Sequence, residues 1–103
     1  MSLSDVLKAL SDPTRRRIIR LLRERPRTAG EIASFFDISK PSISFHLNQL
    51  KDADLIFGVR DGTTITYHLN SSVLEDLMAF ATDILKGTHD GDGSADSEIP
   101  SQG

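Results

Sequence analysis

The 103-residue chain has no cysteine, which excludes a disulfide framework, a thiolate zinc site and a thiol redox switch. It has no apolar run near the roughly 18 residues a spanning helix needs, and its N-terminus lacks the basic and apolar segments of a signal peptide. A soluble, cytoplasmic protein is expected, with no membrane insertion. Histidine is sparse too. His46, His68 and His89 stand 22 and 21 residues apart without a Ser–acid pattern beside them, and no Gly-rich phosphate loop occurs. No catalytic constellation can be assembled from such a set, so no enzymatic activity is expected. Basic residues are missing altogether from Asp90 to Gly103, where four carboxylates stand. This last absence hides a surplus elsewhere: the formal net charge is −3, yet Lys8 to Arg60 holds 11 basic residues against six acidic ones. The middle of the chain is locally basic, as a polyanion partner requires. Taken singly, each of these arginines also fits a solvated helix face.

A chain of this length buries one modest core. One domain over residues 1–87 is expected, followed by a disordered acidic tail at 88–103, which lacks the apolar residues to repay its ordering. Leu3, Val6, Leu7 and Leu10 recur at helical spacing up to about Ser11. Asp12-Pro13 starts a second helix that runs to about Glu24, because Asp caps free N–H groups and Pro is pre-set for the first helical position. Thr28 and Glu31 form a capping box for a short third helix. Ser39 caps a fourth, whose buried stripe is Ile43, Leu47 and Leu50. Past Asp54 the period changes: "LIFGVR" and "TTITYHL" flank Asp61-Gly62, a strong hairpin signal. Asn70 then caps a last helix with a broad apolar stripe, ending near Gly87. The fold class expected is mainly α with a two-stranded β-hairpin, a winged helix-turn-helix.

The fourth helix carries the functional argument. Its wheel turns Ser44, Phe45 and Asn48 away from the core, with Ser42 at the flank and Lys40 at the start. Short hydrogen-bonding side chains and one exposed ring suit the DNA major groove, where serine and asparagine read base edges or phosphates and Phe45 lies against thymine methyls. Phe45 could instead cover the hairpin or a subunit contact. His46 falls beside the buried stripe, which suits a histidine packed and hydrogen-bonded near the wing. Arg60, Thr63 and Thr64 at the hairpin tip suit phosphate or minor-groove contacts, with an Arg60 ion pair to Asp61 or Asp54 as the competing reading.

The segments "LSDPTRRRIIRLL", "TAGEIASFFDISKPSISFHLNQLKDADLI" and "VRDGTTITYHLN", in this order, resemble the arsenical-resistance repressor (ArsR) family of small bacterial winged helix-turn-helix regulators, over residues 3 to about 86. Within that family the chain resembles the metal-blind autorepressors of the SdpR type. The resemblance implies a repressor of a double-stranded DNA operator, often its own, working as an obligate homodimer built from the first and last helices. Leu3, Val6, Leu7, Val73, Leu77, Met78, Ala81 and Ile84 would then form the interface. Two departures matter. Many members carry a second histidine where this chain has Phe45, and the thiolate signature of the arsenic, cadmium and lead sensors is replaced by "AGEIASFF".

No cofactor and no metal are expected. Members that sense zinc, cobalt or nickel through the last helix carry histidines near both of its ends, whereas this chain reads "SSVLEDLM" and "TDILKGTH", a poor donor set for a tetrahedral ion. Three alternatives stay open: a protein-interaction module without specific DNA binding, a ligand-responsive repressor, and a metal-responsive one with a non-standard site of His89 with Asp76 or Glu75. The trigger is equally open between the protein's own concentration, a small molecule and sequestration by a partner protein. The acidic tail could compete weakly with DNA for the basic surface, or serve only solubility.

Overall fold

The computed structural model describes residues 2–87. The tail at 88–103, expected to be disordered, lies outside the described residues. In chain order the elements are α1 (Leu3–Leu10), α2 (Pro13–Glu24), β1 (Arg27–Thr28), α3 (Ala29–Ala33), α4 (Lys40–Asp52), β2 (Ile56–Asp61), β3 (Thr64–Leu69) and α5 (Ser71–Lys86). The chain separates after Val73 into two compact units.

Local chemistry sets where the helices begin. The Ser2 hydroxyl accepts from the Asp5 N–H at 3.1 Å, and Asp12 Oδ2 accepts from the Arg15 N–H at 3.1 Å with Pro13 opening α2. Both halves of the capping box form at α3: the Glu31 N–H donates to Thr28 Oγ1 at 3.1 Å and the Thr28 N–H to Glu31 Oε1 at 2.8 Å. At the end of α4, Asp54 adopts φ 59, the left-handed conformation, while Leu55 N–H returns to the Leu50 carbonyl and Asp54 N–H to that of Lys51. This Schellman-type stop turns the chain sharply and drops Leu55 into the core, fully buried.

The sheet has three strands and not the two expected. Arg27 and Thr28 pair antiparallel with Tyr67 and Thr66, giving the order β1-β3-β2. Two residues are too few to show strand alternation, and they form a strand only because β3 offers an unpaired edge beside them. The hairpin tip also shifts by one residue. Asp61 pairs with Thr64, so the two-residue turn is Gly62-Thr63, with Gly62 at φ 64. Glycine at the first central position with positive φ is the pattern of a type II′ hairpin turn. Gly58 has its own reason: a Cβ there would stand 2.7 Å from Ile65 Cγ2, so β2 runs too close to that side chain for any other residue.

The core of the first unit joins Val6, Ile18, Leu22, Ile32, Ile43, Leu47, Leu50, Leu55, Ile56 and Tyr67. Val6 and Val73, expected at a subunit interface, are 1% and 5% exposed. Both face the protomer's own interior because the helical period of α1 and the first turn of α5 point them inward. On α1, Leu3 is half-buried and Leu7 exposed. Along α5, Leu77 is half-buried and Ala81 exposed, while Met78, Ile84 and Leu85 are 71%, 63% and 86% exposed.

Candidate nucleic-acid interface

The two sides of α4 differ as its helical period requires. Ile43, Leu47 and Leu50 are buried, whereas Ser44, Phe45 and Asn48 are exposed, Phe45 to 55%. That exposure fits a ring presented outward better than one that covers the hairpin. Its ring meets His46 edge-on, 5.6 Å between centroids. Ser42 is half-buried, and its hydroxyl accepts from Ser39 Oγ at 3.0 Å, so it belongs partly to the cap of α4. Lys40 and Ser44 line a cleft of about 230 Å³ with Ala29, Gly30, Ala33 and Ile43. The capping box marks where α3 begins, but no linear pattern says that its small residues leave open space beside Lys40 and Ser44.

At the wing, Thr63 and Thr64 are exposed at the tip, and exposed Arg60 makes no ion pair among the described residues. Phe57 and His68 stack on the sheet face carrying Val59, with centroids 5.2 Å apart.

His46 is half-buried and hydrogen-bonded, but not near the wing. Its Nδ1 lies 3.1 Å from Arg15 Nη1 and 3.8 Å from Asp12 Oδ2, since the buried edge of α4 meets the start of α2. Much of the basic surplus is likewise engaged inside the protomer. Arg16 donates to the Leu10 carbonyl, Arg17 lies over the Phe36 ring, and Arg25 pairs with Glu31. Arg27, 6% exposed, donates to the Leu21 carbonyl and to Glu24 and lies over Phe35. Exposed cations of Lys8, Arg20, Arg23, Lys40, Lys51 and Arg60 remain for a polyanion.

Two carboxyls are held below their ordinary values. Burial alone would raise Asp12, but the Arg15 backbone N–H it accepts from, together with the Arg15 charge, outweighs it and lowers it. Glu31 is lowered chiefly by the Thr28 backbone N–H it accepts from. Among the described residues no group of His, Cys, Asp and Glu is placed to hold a metal ion, and His89 lies outside them. Nor is any described helix long and apolar enough to cross a membrane.

A model described as a helix-turn-helix domain matches residues 10–59. The transcriptional repressor SdpR of Bacillus subtilis (strain 168) is 49% identical over 89 residues, covering 85% of this chain and 99% of that protein. An arsenical resistance operon repressor of Staphylococcus aureus is 36% identical over 76 residues, 74% of this chain and 73% of that one. A crystal structure described as an ArsR family transcriptional regulator superposes with a TM-score of 0.78 at 28% identity, over 82% of this chain and 92% of the other. With the helix pair, the wing and the polar outer face of α4 arranged as above, the chain belongs to the ArsR family of winged helix-turn-helix transcriptional regulators, DNA-binding repressors and not enzymes.

Proposed function

We propose that the chain is a homodimeric cytoplasmic repressor that reads an inverted-repeat operator, its own promoter included, with the outer face of α4 and the wing. The observation that carries this reading is the uncharged face of Ser44, Phe45 and Asn48, exposed on the side of α4 opposite its buried stripe. Lys40 and the wing residues Arg60, Thr63 and Thr64 hold phosphates and set the register, while the α4 face reads bases. Dimerisation uses the apolar faces of α1 and α5: Leu7, Met78, Ile84 and Leu85 are exposed in the protomer, and a second copy covers them. Two such helices read half-sites about 10 bp apart or a multiple of that turn.

Titrating duplex from the gene's own upstream region at several salt concentrations tests the proposal. It requires saturable binding that weakens steeply with salt and tracks the inverted repeat. Equal affinity for any duplex of the same length would contradict it. A second reading adds relief of repression by a sequestering protein, supported by the exposed Phe57 and Val59 on one face of the wing.

A further inference from the structure

We infer that Arg15 and His46 form a clamp that sets the rotation of α4, so that preference for the operator, and not affinity for DNA in general, depends on them. This rests on the groove-reading role of α4. The Arg15 guanidinium spans three elements: Nε donates to the Ala9 carbonyl at 2.7 Å, Nη2 to the Lys8 carbonyl at 3.4 Å, and Nη1 meets His46 Nδ1 at 3.1 Å. Its own backbone N–H is fixed by the Asp12 cap at 3.1 Å. One side chain therefore ties the last turn of α1 and the start of α2 to the middle of α4.

An arginine has donors and no acceptor, so His46 Nδ1 is the acceptor in this contact. The Asp12 carboxylate stands 3.8 Å from Nδ1, outside hydrogen-bond range, leaving Arg15 as the partner.

Packing against α1, α2, α3 and β2 sets which side of α4 faces the core but leaves its fine rotation soft. Its buried stripe of Ile43, Leu47 and Leu50 is narrow, and apolar contact is non-directional. The Arg15–His46 bond is directional and lies two residues from both Ser44 and Asn48. Side-chain tips stand about 5–6 Å from a helix axis, so a turn of roughly 10° carries them by about 1 Å. That spans the difference between a formed and a broken bond to a base edge. Long cations that follow phosphates tolerate the same shift. Because the guanidinium also holds α1, the clamp references the reading face to a helix of the proposed dimer contact.

The test compares the full chain and its variants by fluorescence anisotropy on an operator duplex and a scrambled duplex at one salt concentration. Arg15→Ala and His46→Phe, which remove the donor and the acceptor, should lose about tenfold or more on the operator, the scale of one or two misplaced base contacts, with the scrambled duplex nearly unaffected. His46→Asn places an oxygen acceptor where Nδ1 stood and should restore operator preference. Equal losses on both duplexes, undiminished preference in His46→Phe, or no rescue by His46→Asn would each overturn the clamp. So would a His46→Phe chain that fails to fold, since that makes the contact one of stability. A native chain without preference for any duplex would instead refute the groove-reading on which the clamp rests.

Discussion

Replacing Arg27 with alanine tests whether a residue that reads as part of a basic surface in fact belongs to the scaffold. Its Nε donates to the Leu21 carbonyl at 3.1 Å inside the fold, and a buried hydrogen bond from a charged donor contributes about 1.5–3 kcal/mol. The pair with Glu24 at 2.8 Å counts for less, about 0–1 kcal/mol, because the Glu24 side chain is 60% exposed. The guanidinium over Phe35 at 4.9 Å contributes about 0.5–1 kcal/mol. Together Arg27→Ala should cost about 2–5 kcal/mol, a fall of roughly 8–40 °C in Tm for a domain of this size. Arg27→Met keeps the apolar stem and should fall at the lower end. Circular dichroism melts at matched protein concentration, with urea titrations for the free energy, measure both. A stability within about 0.5 kcal/mol of the native chain would refute the reasoning and return Arg27 to the surface.

The remaining predictions follow from single contacts. Gly58→Val forces a side chain against Ile65 and should cost about 1–3 kcal/mol, seen as a lower Tm and faster amide exchange in β2 and β3. Asp12 and Glu31 are both depressed in the folded chain, so the stability they contribute is complete above their ordinary values of 3.8 and 4.5 and is lost as pH falls through the lower folded values. Tm should therefore drop on acidification in that window, and Asp12→Asn should flatten the drop. Met78→Asp with Ile84→Asp removes two side chains worth about 1.5–3 kcal/mol each when buried, and should leave folded monomers at micromolar concentration by sedimentation. A dimer surviving both changes would place the interface elsewhere.

The helix starts were legible in the sequence because a cap is decided within four residues: Asp12-Pro13, Thr28–Glu31 and Ser39 all act as expected. The outward face of α4 followed from its period alone. What escaped depends on partners far along the chain. β1 exists because Thr66 and Tyr67 lie beside Arg27 and Thr28, and two residues carry no pattern of their own. The Asp61-Gly62 pair signalled the hairpin, but the strand register moved Asp61 into the ladder and gave the turn to Gly62-Thr63. His46 was legible as packed and hydrogen-bonded, while its partner Arg15 stands 31 positions away. A charge count likewise cannot separate Arg27, closed into the fold, from Arg60, open to solvent.

Operator affinity of Ser44→Glu tests the central claim most directly. Ser44 is exposed on α4, so the variant should fold and melt like the native chain, yet a carboxylate would face base edges and phosphates in the groove. The account predicts a loss of about 2 kcal/mol or more, roughly 30-fold, on the operator at moderate salt. A folded Ser44→Glu protein that binds within about twofold of the native chain would contradict the placement of α4 in the groove.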